Sequence, residues 1–189
     1  MDMKTAIIKG SLQDVATQSG HSIAASFLNV DVVILVDVSG SMMAKDAPGG
    51  ISRYEAAVDE LKKVQEVNPG KIAIIAFSSS ATLCPSGTPV FEGGNTDLAE
   101  ALKLAKMADV GGIRFIVISD GLPDSESKAL AAAASFTGEI HTIYIGPEND
   151  YEGGRAFLQR LATANRGTFH VAELTKSLEI SITKCLPAN

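Results

Sequence analysis

The sequence predicts an α/β domain, a three-layer doubly wound sheet, mostly parallel, with one antiparallel edge strand and helices on both faces. Three observations carry this. Short β-branched runs end in small or acidic residues, they alternate with longer stretches of helical period, and hydrophobicity within each run is continuous. A strand apolar on both sides must be covered on both faces, as in a Rossmann-like sheet.

Taken in order, residues Leu12, Val15, Ala16, Ile23 and Phe27 predict an amphipathic helix, with Gly20 as a weak point at its middle. The first strand is Val32-Val33-Ile34-Leu35-Val36, followed by Asp37. Tyr54, Ala57, Val58, Leu61 and Val64 then recur at helical spacing and lead into a second strand over 72–77. Residues 82–91, with Pro85, Gly87 and Pro89, read as a hairpin at a sheet edge, where proline is tolerated. Leu98, Ala101, Leu102 and Ala105 predict a helix before a strand over 113–118. A helix over 125–136, a strand over 140–145, a helix over 155–164 and an edge strand over 168–171 follow. Leu178, Ile182 and Cys185 suggest a closing helix. No stretch is long enough to be an interdomain linker, so the reading is an N-terminal extension, 1–29, and one domain, 30–189.

A chain of 189 residues is long enough to support a real core, burying roughly 70% of its unfolded surface. Sixteen Lys and Arg against 22 Asp and Glu leave a net charge of −6, which disfavours nucleic acid and anionic membrane as partners. Cys84 and Cys185 lie far apart in no metal or redox motif and read as free thiols. The first twenty residues offer only Ala6-Ile7-Ile8 where a signal peptide needs an apolar region, and no apolar run approaches the ~18 residues of a spanning helix. A cytoplasmic location is the expectation.

Ligands of an open parallel sheet bind beyond the carboxyl ends of its strands, so strand ends are where chemistry belongs. The first strand delivers Asp37-Val38-Ser39-Gly40-Ser41, the strand over 113–118 delivers Asp120 in Ser119-Asp120-Gly121, and Gly93-Gly94-Asn95-Thr96-Asp97 opens a helix. Carboxylates and hydroxyls are hard ligands. Asp37, Ser39, Ser41, Thr96 and Asp120, completed by water, suit the octahedral shell of Mg²⁺ or Mn²⁺, with Ca²⁺ a further candidate. No histidine or thiolate is near in sequence, which disfavours zinc.

Asp37-x-Ser39-x-Ser41, Thr96 within Gly-Gly-Asn-Thr-Asp-Leu, and Asp120 within Ser-Asp-Gly-Leu-Pro-Asp resemble the metal-ion-dependent adhesion site of von Willebrand factor type A (vWA) domains. The resemblance covers about residues 30–185 in order and spacing. It implies that both serines bind the ion directly, the threonine directly or through water, and the aspartates partly through water. One position is then left for an acidic side chain of a protein partner. It further implies a non-enzymatic intracellular adaptor, of the kind that includes partners of MoxR-type AAA+ ATPases. Asn95 stands where many members carry glycine, and residues 1–29 fall outside the pattern.

Singly, each residue has an ordinary explanation. Asp37 suits a strand-end turn, Ser39 and Ser41 are turn hydroxyls, and Thr96 or Asp97 with Glu100 suits a helix N-cap. Met42 and Met43 offer an adaptable rim, although methionine beside a turn more often packs inward. Asp124, after Pro123, reads as the N-cap of the next helix. An aspartate after the first strand with a later Asp-Gly-x-x-Asp also occurs in haloacid-dehalogenase-type phosphotransferases. Their acid-base step needs a second aspartate two residues after the nucleophile, and that position is Ser39. No Gly-x-Ser-x-Gly elbow or phosphate-binding glycine loop follows any strand, and His21, His141 and His170 show no spacing logic. An unused metal site in a structural domain is the remaining alternative.

Overall fold

The computed structural model describes residues 6–146 and 153–172 together with Ile182 and Cys185. Six strands, β1 (Val32–Asp37), β2 (Ile72–Phe77), β3 (Ala81–Leu83), β4 (Arg114–Ser119), β5 (Ile140–Tyr144) and β6 (Arg166–Val171), form one sheet in the order β3-β2-β1-β4-β5-β6. All neighbours are parallel except β3, which runs antiparallel to β2. This is the predicted architecture. Every residue of β1 and β2 is buried, which their unbroken hydrophobicity required.

Alternate residues of β1 feed two cores. Val33 and Leu35 face α4 (Leu98–Ala105), α5 (Glu126–Ala133) and α6 (Gly154–Ala164), while Val32, Ile34 and Val36 face Ala57, Leu61 and Val64 of α3 (Arg53–Val67). Ile182 and Cys185, all that is described of the expected closing helix, are helical and join the α3 side; Leu178 lies outside the described residues. Both cysteines are free thiols. The chain goes from β1 through α3 to β2 on one side, then crosses to β4 on the other. Strand order therefore reverses between β1 and β4, and the crevice at their carboxyl ends is where such sheets bind ligands.

Two expectations are corrected. The single N-terminal helix is two, α1 (Leu12–Ser19) and α2 (Ile23–Phe27), because Gly20 adopts a left-handed φ of 70° that ends α1 and Ser22 caps α2 anew. Leu12 nonetheless enters the core, and the amide of Gly70 donates to Gly10 O at 2.8 Å, joining this segment to the end of α3. Gly10 must be glycine: its φ is +81° and an added Cβ would lie 2.1 Å from Gln65 O. The second correction concerns the edge hairpin. It is formed by β2 and β3 across Ser78–Ser80, not within 82–91, because Pro85 has no amide to extend the ladder.

The end of α4 is joined to the α5–β5 loop through Asp109. Its covered carboxylate accepts from the amides of Thr137 (2.7 Å) and Gly138 (2.8 Å), the Thr137 hydroxyl (3.0 Å) and Lys106 Nζ (2.5 Å). Burial alone would raise this carboxyl, yet those donors outweigh it and hold it down at about 2. A depressed carboxylate contributes stability that is present above its unfolded value near 3.9 and is lost as pH falls through about 2. In an acid titration followed by thermal melting, wild type should lose about 2–3 kcal/mol across that window that Asp109→Asn never had.

Candidate functional site

Asp37 is the last residue of β1, and its buried position is imposed by the strand. Its Oδ1 accepts from the amide of Ser39 at 2.8 Å and its Oδ2 from the Ser119 hydroxyl at 2.6 Å. The backbone then turns through a 3₁₀ segment, Gly40–Met43, whose first flanking residue, Ser39, makes no side-chain cap. The Ser39 hydroxyl instead lies 3.2 Å from that of Ser41, and Ser41 donates across the crevice to Asp120 Oδ1 at 2.8 Å. Asp120 follows β4 directly, is 7% exposed, and completes a chain of contacts joining Asp37, Ser39, Ser41 and Asp120.

Thr96 reaches this neighbourhood by its backbone. Gly93 donates to Val38 O at 3.0 Å and Gly40 to Gly94 O at 3.2 Å, tying the loop before α4 to the β1 turn. Among the described residues the Thr96 hydroxyl makes no hydrogen bond to the other four. Asp97 caps α4 through the Glu100 amide. Asp124 does not cap α5, contrary to the sequence reading: Ser125 does, and the Asp124 carboxylate accepts from the Thr96 amide at 3.0 Å. The reciprocal Asp124 amide to Thr96 O bond makes this a two-way clasp between loops.

Three neighbours escaped the sequence reading. Ser119 looks like an ordinary strand residue, and Asp46 like a loop charge. Arg53, the first residue of α3, has a side chain only 10% exposed. It grips Asp46 with Nε and Nη2 and donates from Nη1 to Asp120 Oδ2 at 2.6 Å. The signal for it was the α3 capping box, Ser52 with Glu55, which places position 53 at the start of a helix pointing toward the strand ends.

Burial pushes the Asp37 carboxyl up to about 6; the Ser119 and Ser39 hydrogen bonds oppose this, and the neighbouring charge of Asp120 adds to it. Asp46 is held below the usual carboxylate range by Arg53, whose own value is raised first by Asp46. Asp37 and Asp120, both buried, together with the more exposed Asp46 outnumber the single guanidinium of Arg53, which leaves negative charge that a cation would neutralise. Among the described residues no three His, Cys, Asp or Glu side chains group for a metal, so any ion here depends on hydroxyls. Adjacent ligands of an octahedral Mg²⁺ with bonds of about 2.1 Å lie about 3.0 Å apart, and about 3.4 Å apart for Ca²⁺ at about 2.4 Å. The Ser39–Ser41 and Ser41–Asp120 separations of 3.2 and 2.8 Å bracket the smaller figure. The oxygens of Ser39, Ser41 and Asp120 are spaced closely enough to be neighbouring ligands of Mg²⁺.

Met42 is fully buried and Met43 is 43% exposed beside the turn, so only Met43 can serve as rim. The histidines lie elsewhere: His141 Nδ1 accepts from the Thr168 amide at 3.1 Å between β5 and β6, and the Thr168 hydroxyl also meets His170 Nε2. Among the described residues no helix is long and apolar enough to cross a membrane.

The sequence matches no family model. It matches no curated protein either. Solved structures do match. An aerotolerance-related membrane protein from Bacteroides fragilis aligns with a TM-score of 0.59 at 20% identity, over 82% of this chain and 98% of that one. The SpRpn10 VWA domain aligns at 0.58 and 16%, over 81% and 93%. A von Willebrand factor type A protein from Catenulispora acidiphila aligns at 0.53 and 20%, over 81% of this chain and 41% of that one. At these identities the likeness is one of fold: this chain has the fold of vWA domains.

Proposed function

We propose that this chain is a recognition domain that binds an acidic side chain of a protein partner through Mg²⁺ held by Asp37, Ser39, Ser41, Thr96 and Asp120. The observation that carries the reading is the Ser41 hydroxyl, which links Ser39 to Asp120 across the crevice where strand order reverses. Each serine oxygen has a lone pair for a cation while the Ser41 hydroxyl donates a hydrogen bond to Asp120. Asp37, held from both sides by Ser39 and Ser119, supplies charge without swinging outward.

A divalent ion in this donor set would keep much of its charge, because the hydroxyls are neutral, and would favour a carboxylate as its last ligand. An acidic protein would thereby recognise an acidic partner. The vWA fold is typical of interaction modules, which favours recognition over phosphoryl transfer, and position 39 offers a hydroxyl where that chemistry needs a second carboxyl. A cytoplasmic adaptor role with a MoxR-type AAA+ ATPase belongs to the same proposal and rests on the resemblance of motifs. The first test is a melt with Mg²⁺ and with chelator. A rise in Tm that chelator reverses supports the site; superimposable melts refute it.

A further inference from the structure

Arg53 is a charge built into the metal site from outside the motif. Its fork is aligned by Asp46 on one side, through Nε and Nη2, which leaves Nη1 directed at Asp120 Oδ2. The other oxygen of Asp120 takes the Ser41 hydroxyl, so both oxygens are engaged and the carboxylate cannot rotate freely. The guanidinium stays charged at any ordinary pH. It sits one carboxylate away from the oxygens proposed to hold the ion, and the side chains of both Arg53 and Asp120 are withdrawn from solvent, where charges act on one another more strongly than at the surface.

We infer that Arg53 is a positioning residue that sets the site's preference: it holds Asp120 ready without an ion, weakens the grip on Mg²⁺ alone, and so favours the ion when an anionic ligand completes its shell. The inference rests on the metal reading above. Two oxygens of Asp120 shared among Ser41, Arg53 and a cation give less net negative charge than the motif alone implies, so bare Mg²⁺ is bound less tightly and retains more attraction for an incoming carboxylate. Asp46 tunes the effect, since it draws part of the guanidinium charge away from Asp120.

The test is the affinity for Mg²⁺ alone, by calorimetry on the full chain, for wild type, Arg53→Gln and Asp46→Asn. Arg53→Gln should bind Mg²⁺ on the order of tenfold more tightly, the effect of one unit charge on a divalent ion nearby, while melting lower in chelator. Asp46→Asn should bind it a few-fold more weakly. A role confined to folding would weaken binding in both, so tightening in Arg53→Gln is the discriminating result. Equal or weaker binding by Arg53→Gln, or, should that variant not fold, equal or tighter binding by Asp46→Asn, overturns the inference and leaves the metal reading standing. Absence of Mg²⁺ binding in wild type and in both variants overturns the two together, whereas binding gained only in Arg53→Gln supports this one.

Discussion

Asp37→Ala is expected to abolish the stabilisation that Mg²⁺ gives the wild-type domain while leaving it folded. At a Mg²⁺ concentration a hundredfold above the dissociation constant, binding to the native state alone adds about 2.7 kcal/mol, a rise in Tm of roughly 5–10 °C for a domain of this size. In the variant that rise should fall to zero. Its melting in chelator should change little, because two effects oppose: the Ser39 amide and the Ser119 hydroxyl lose their acceptor, costing about 1–3 kcal/mol, while a buried carboxylate and its repulsion with Asp120 disappear. Asp37→Asn separates the causes, since it keeps an acceptor for the Ser39 amide but removes the charge; it too should show no Mg²⁺ effect. Differential scanning fluorimetry with Mg²⁺ or chelator reads all three proteins.

The largest purely structural effect is expected at Gly167→Ala. Gly167 lies where β6 joins β5 with a register irregularity between Ile140 and Thr142. Its neighbour Arg166 is the only non-glycine residue at positive φ, 61°, among the described residues. An added Cβ would stand 1.9 Å from Ile140 O and 2.4 Å from its carbonyl carbon, and these are backbone atoms that cannot turn aside. The strands must separate, breaking the β5–β6 ladder and loosening α6, which packs on both. The cost should be roughly 3–5 kcal/mol, or about 10 °C in Tm. Gly111→Ala, where nothing lies within 4 Å, is the control and should change Tm by no more than a few degrees.

The legible parts of this fold are those in which one residue pattern has one physical outcome. The runs at 32–36, 72–77, 113–118 and 140–145 fall within a residue of observed strands. The first two are unbroken apolar runs with nowhere to go except between two layers of helices, and the others are interrupted only by Arg114 and by His141 and Thr142. The break at Gly20 was harder to read: the apolar period continues through it, and only the backbone, turned to a left-handed φ, interrupts the helix. The hairpin over 82–91 was placed too late for a similar reason, since its prolines marked an edge without saying on which side of them the strand lay.

The site divides along the same line. Asp37, Ser39, Ser41 and Asp120 were visible because they occupy strand ends, where the sheet itself dictates proximity. Arg53 is 67 positions from Asp120; the capping box marks it as a helix start, but nothing in local periodicity pairs that start with the end of β4. Ser119 was hidden because its strand position accounts for it fully, although its hydroxyl holds Asp37. Asp124 shows the opposite error, a residue whose local context suggested a cap but whose carboxylate was claimed by the Thr96 loop.

The central claim is that a cation at these oxygens bridges to a partner's carboxylate. It is tested most directly by binding a set of peptides that differ only in Asp against Asn, or Glu against Gln, in Mg²⁺ and in chelator, with Asp37→Ala alongside. Wild type should bind the acidic members alone, in Mg²⁺ alone, and the variant should bind none. Retention of the same peptides in chelator, or equal retention of their amide counterparts, would contradict it.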